Sequence, residues 1–107
     1  MENNRVMQLK EFLAKTPEDA FLNYALAIEY VGMGKDDDAK AIFENLLENQ
    51  PTYTATYYHL GKLYEREGRK DDAETVYRKG IMLTMKNREQ HAMAELQNAL
   101  SNLWIED

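Results

Sequence analysis

Residues 54–87 read TATYYHLGKLYEREGRKDDAETVYRKGIMLTMKN, and they repeat the pattern of residues 20–53, AFLNYALAIEYVGMGKDDDAKAIFENLLENQPTY. With one stretch written above the other, Leu26 falls on Leu60, Ala27 on Gly61, Tyr30 on Tyr64 and Gly34 on Gly68. Ala39 then meets Ala73, Phe43 meets Tyr77 and Leu47 meets Ile81, always at a spacing of 34 residues. The register also runs backwards, where Leu9, Leu13 and Pro17 precede Phe43, Leu47 and Pro51 by the same interval. So many shared spacings in one register make this an internal repeat, and self-similarity at such a period is the signature of a helical array.

Each repeat reads as two helices. Tyr57, Leu60, Gly61 and Tyr64 lie at i, i+3, i+4 and i+7, one face of a helix. Gly68 ends it, since glycine tolerates the positive φ that closes a helix. Asp71 and Asp72 then stand in the first turn of a second helix, where the macrodipole favours anions. Ala73, Val76, Tyr77, Gly80 and Ile81 form that helix's buried stripe. The earlier repeat follows suit with Gly34, then Asp36, Asp37 and Asp38, then Ala39, Ile42, Phe43, Leu46 and Leu47. Small residues at 27, 39, 61 and 73 let paired helices approach closely. Before the repeats, residues 5–16 carry Val6, Leu9, Phe12 and Leu13 in second-helix register, half a repeat. After them, Met93, Leu96, Leu100 and Leu103 make a stripe with polar residues between, the pattern of a capping helix over 88–105.

These offsets resemble the tetratricopeptide repeat. Tyr57, Leu60-Gly61, Tyr64, Gly68, Ala73 and Tyr77 match its pattern in the second unit. Leu26-Ala27, Tyr30, Gly34, Ala39, Phe43 and Pro51 match it in the first. Asn23 replaces the leading aromatic, Leu46 and Gly80 replace the second-helix alanine, and Met85 stands where proline would close the second repeat. The resemblance implies an all-α domain over 1–107, a right-handed superhelical array of about six antiparallel helices. Its order is a half-repeat (5–16), two repeats (20–53 and 54–87) and a cap.

Composition sets the outer limits. Charged residues are 30% and hydrophobic ones 44% of 107, a balance suited to a packed domain rather than a disordered chain. No apolar run is long enough to span a bilayer. The first residues pass at once into a mixed polar pattern, so no signal peptide is expected. The absence of cysteine removes disulfide and thiolate chemistry and fits the cytoplasm. A net charge of −6 argues against a nucleic-acid partner, whose phosphates demand a basic face.

Catalytic signals are missing. His59 and His91 are the only histidines and lack metal-ligand spacing; Ser101 is the only serine and has no glycine elbow. Asp36-Asp37-Asp38 lacks the alternating oxygens, glycine and distal glutamate of a calcium loop, and helix-end electrostatics explains it. No enzyme, cofactor, metal or small-molecule substrate is expected.

The family resemblance implies that the first helix of each pair lines a concave groove. Carried over by position, that surface comprises Phe21, Tyr24, Ile28 and Val31, then Ala55, Tyr58, Lys62, Glu65 and Arg66. From the cap it adds His91, Ala94, Asn98 and Ser101. Apolar residues at 24 and 28 speak against a clamp for a C-terminal carboxylate. Helix 20–32 is apolar almost all round, and such a helix should be covered on every side. A protein or peptide partner, held as by an adaptor, is therefore expected, with a second copy of the chain as the alternative.

Overall fold

The computed structural model describes residues 3–105. Among them are six α-helices and no strand: α1 (Asn4–Lys15), α2 (Ala20–Gly32), α3 (Asp36–Asn49), α4 (Ala55–Arg66), α5 (Lys70–Lys86) and α6 (Gln90–Leu103). They fall into two compact units, Met1–Tyr53 with α1 to α3 and Thr54–Asp107 with α4 to α6.

In the first unit each turn is chemically specified. The Asn3 side chain accepts the Val6 amide at 2.8 Å and starts α1. Asp19 does the same for α2 through Leu22, at 2.9 Å. Gly34 adopts φ 76°, which lets the Lys35 amide reach back to the Tyr30 carbonyl at 2.9 Å and the Gly34 amide to Val31 at 3.0 Å. That pairing closes α2 and turns the chain into α3. Asp36, Asp37 and Asp38 occupy the first turn of α3. Val6, Leu9, Leu26, Ala27, Tyr30, Ala39, Phe43 and Leu46 are buried. Phe12 is not: it is 60% exposed. It occupies the register of the buried Leu46 and Gly80, but among the described residues no helix covers that side of α1. Arg5 and Gln8, in the register of Ala39 and Ile42, are exposed for the same reason.

The second unit repeats the α2–α3 turn at Gly68, with φ 77° and the Arg69 amide 2.8 Å from the Tyr64 carbonyl. Its helices lie closer than side chains would allow. A methyl group on Gly61 would run into the ring of the fully buried Tyr77. One on Gly80 would sit 2.7 Å from the Tyr57 Cβ and 2.9 Å from a Leu96 methyl. Both glycines are contact points between helices.

With Met85 in place of proline, α5 does not stop where α3 does; it runs 17 residues against 14. Thr84 is buried within it, its hydroxyl donating to the Gly80 carbonyl at 2.8 Å. Arg88, at φ 59°, then makes the closing turn, and the Glu89 amide bonds the Thr84 carbonyl at 2.9 Å. This extension shifts α6. Its Leu96 and Ala99 follow Leu60 and Leu63 by 36 residues rather than 34, and all four are buried. At the end of α6 the Trp104 indole donates to Glu74 at 2.7 Å, and Lys70 lies over its ring. Arg78 and Trp104 together hold the Glu74 carboxyl below the usual carboxylate range.

Gly61→Ala should destabilise the chain by about 1–3 kcal/mol, because the Tyr77 ring has nowhere to retreat. Gly32→Ala, with nothing near its Cβ position and an ordinary helical backbone, should stabilise it by about 0.5 kcal/mol. Denaturant titration of both variants checks the contrast, and equal effects would contradict the close approach.

Arg88→Gly should raise stability by about 1 kcal/mol, since a left-handed conformation strains any residue with a Cβ. An unchanged or lowered melting temperature would contradict the turn.

Candidate functional site

The nine first-helix residues expected to form one surface divide four to five between the two units, with Ala55 half-buried at the start of α4. In the first, Phe21, Tyr24, Ile28 and Val31 fall at intervals of three, four and three residues along α2. Phe21 is 60% exposed, and the other three are half-buried. Tyr24 is neither free nor sealed: its ring lies 6.2 Å from Phe43 and 5.8 Å from Tyr53, tilted to both. Burial, then Tyr24 and Asp19, push the Tyr53 phenol above its ordinary pKa. Glu29, the only charged residue of α2, is engaged by Asn3 at 3.1 Å and by Arg5 at 4.0 Å.

In the second unit α4 and α6 enclose a groove of about 320 Å³, lined by Tyr58, Lys62, Glu95, Asn98, Ala99 and Asn102. That volume lies at the small end of ligand-binding pockets. The ammonium of Lys62 lies 5.6 Å from the Tyr58 ring centre and 3.6 Å from the Glu65 carboxylate. Glu65 also accepts a hydrogen bond from the Tyr77 hydroxyl, and burial followed by this bond drives the Tyr77 pKa far above the phenol range. Glu65 is therefore tied to the core from below and to Lys62 from the side. At the corresponding positions of the first unit stand Val31 and Phe43, an apolar pair without a hydroxyl to satisfy. Arg66 is exposed and does not line the groove.

Of the cap residues, only Asn98 lines the groove; His91, Ala94 and Ser101 are exposed elsewhere on α6. Glu95 and Asn102 take part instead. The overrun of α5 changes where α6 begins and so which of its sides faces α4. Methionine at 85 in place of proline was the available signal. The imidazole of His59 meets the Tyr58 ring edge-on at 5.3 Å. Burial lowers its pKa, against a smaller raising effect of Glu95. His91 lies 4.0 Å from Glu95.

The lining can make hydrogen bonds, one aromatic contact and one contact of each charge. No nucleophile with an adjacent base is among these residues, and no three His, Asp or Glu converge as metal ligands among the described residues. Nor is any described helix long and apolar enough to cross a membrane.

A family model described as tetratricopeptide repeat matches residues 30–100. The chain is similar to a tetratricopeptide repeat domain protein of Salinibacter ruber, at 45% identity. Its crystal structure aligns with TM-score 0.77 over 79% of this chain and 96% of that one. The solution structure aligns equally well, over 82% and 89%. A protein of Bordetella parapertussis, 24% identical, shares the fold with TM-score 0.79 over 96% and 89%. No curated protein matches the chain.

His59 gives the unit a pH dependence whose sign is fixed. Its folded pKa lies below the unfolded value of 6.5, so the unfolded chain binds more protons as pH falls through the window beneath 6.5. Stability should therefore drop there more steeply for the wild type than for His59→Gln. Urea midpoints measured at pH 7.5 and pH 5 check this, and parallel pH profiles would contradict it.

Proposed function

The chain belongs to the tetratricopeptide repeat family, and from that premise we propose that it is a non-catalytic adaptor of the cytoplasm that holds a segment of another polypeptide. The family generally mediates protein–protein interaction and is generally non-catalytic. In this reading 20–53 and 54–87 are its full repeats, 5–16 a half-repeat and 88–105 the cap.

The observation that carries the proposal is the α4–α6 groove. Asn98 and Asn102 are one turn apart on α6, about 6 Å along the axis. An extended peptide repeats its same-side groups every two residues, at about 6.6–6.8 Å. Two carboxamides at nearly that interval can each donate to and accept from successive main-chain groups, independently of side-chain identity. Tyr58 supplies apolar contact, while Lys62 and Glu95 supply charges that distinguish one segment from another. In the second unit we also assign Arg66 and Glu65, Glu65 by holding Lys62, and in the first unit Phe21, Tyr24, Ile28 and Val31 as a separate contact face.

The alternative is self-assembly through the apolar surface, favoured by the exposure of Phe21. A photo-crosslinking phenylalanine analogue placed at Tyr58 separates the two readings in the native lysate. Adducts with other polypeptides, lost when Asn98 and Asn102 are both changed to alanine, are expected. Adducts only at twice the 12.5 kDa chain mass would assign the surface to self-assembly. No adduct at all would refute the groove.

A further inference from the structure

The outer face of α5 changes character halfway along. Residues 75–88 carry Arg78, Lys79, Lys86 and Arg88 and no acidic side chain, whereas the rest of the chain holds nineteen acidic against nine basic ones. Among these cations stand Met82, 73% exposed, and Met85, 58% exposed. Arg78, Lys79, Met82, Met85 and Lys86 lie at i, i+1, i+4, i+7 and i+8, one side of the helix over about 12 Å. Gly80, whose Cβ position would meet Tyr57 and Leu96, marks the opposite side, about 200° round from Met82. The patch therefore points away from α4 and α6, and filling the groove between them leaves it open.

Helix electrostatics explains only part of this. The macrodipole favours cations in the last turn, which accounts for Lys86. Arg78 and Lys79 stand two turns earlier, and no helix-end rule asks for two exposed methionines. The residues 34 positions before them are Glu44, Asn45, Glu48, Pro51 and Thr52, so the repeat itself demands neither property. The acids closest in sequence are committed or distant. Glu74 binds Arg78 at 2.9 Å and Trp104 at 2.7 Å. Glu89 accepts from Thr54 at 2.9 Å and from Asn87 at 3.1 Å. Asp71 and Asp72 belong to the first turn of α5. Lys79, Lys86 and Arg88 are exposed.

The two properties together identify the ligand. A phosphate backbone would use the cations and leave the methionines without a role. A bilayer surface needs more apolar area to insert than two side chains supply. A second copy could bring Glu44 and Glu48 to the cations, but no large apolar side chain of α3 is exposed to meet the methionines. Methionine is unbranched and polarisable, suited to taking an apolar side chain of another molecule.

We propose that the outer face of α5 docks an acidic amphipathic segment of another polypeptide. Met82 and Met85 take its apolar side chains, and Lys79, Lys86 and Arg88 take its carboxylates. This adds a second contact to the adaptor reading and does not depend on the α4–α6 groove.

The test uses the whole chain and three synthetic two-heptad peptides. One sets leucines in heptad spacing among glutamates, one sets the same leucines among lysines, and one keeps the glutamates but replaces the leucines with serine. Isothermal titration measures binding, and amide shifts map the contact. The first peptide should shift residues 78–88 and bind at least about tenfold tighter than either of the others, its margin over the lysine peptide narrowing in high salt. Met82→Ser, and Lys79→Glu combined with Lys86→Glu, should each weaken it severalfold at an unchanged melting temperature. No binding of the first peptide overturns the proposal, as does equal binding of the lysine peptide or undiminished binding to either variant. A serine peptide that binds as well as the first also overturns it, leaving charge attraction alone. Shifts confined to Tyr58, Lys62, Asn98 and Asn102 overturn it while leaving the groove reading intact. Shifts at 78–88 without any crosslink from Tyr58 support it and refute only the groove. Sedimentation with phosphatidylserine vesicles, lost in Met82→Ser, would reassign the face to a membrane. Doubling of mass without peptide, abolished by the double glutamate variant, would reassign it to a second copy.

Discussion

The contact between Gly61 and the Tyr77 ring sets how closely α4 can lie against α5, and much of the second unit follows from that separation. Gly80 extends the constraint, because Tyr57 and Leu96 press on it from α4 and α6. The first unit puts Ala27 and Phe43 at the positions of Gly61 and Tyr77, both buried. The extra hydroxyl of Tyr77 must find a partner inside the protein, since leaving it unpaired would carry its full desolvation penalty. Glu65 provides that partner, and where Phe43 has no hydroxyl the counterpart of Glu65 is Val31.

This internal substitution reaches the surface. In the second unit the core holds a carboxylate, the carboxylate holds Lys62, and the groove acquires polar and charged lining. In the first unit the core makes no such demand, and α2 presents an unbroken apolar seam ending at Val31. Two copies of one repeat therefore offer different chemistry because their buried layers were satisfied differently.

The end of the second repeat shows how one residue redirects a surface. Proline at 51 stops α3 beside Gln50, whereas methionine at 85 leaves the backbone amide available and α5 continues to Lys86. The chain must then turn at Arg88, in a conformation usually left to glycine. The later start of α6 puts Glu95, Asn98 and Asn102 into the groove, whereas of His91, Ala94, Asn98 and Ser101, expected from the cap, only Asn98 lines it.

The sequence by itself determined the six helices, their pairing and most of the core, because the spacing of apolar residues, helix-closing glycines and first-turn aspartates are local properties that recur at one period. It also determined that Gly61 and Ala27 belong to close contacts, since only small side chains fit there. Tertiary structure decided the rest. Whether Phe12 is covered depends on which helices pack on α1, not on the stripe it shares with Leu9 and Leu13. The lining of the groove depends on the rotation of α6, which shifts with every residue added to α5. The state of Tyr24, half-buried between Phe43 and Tyr53, depends on rings brought together from α3 and the loop after it, and no spacing along the chain encodes that meeting.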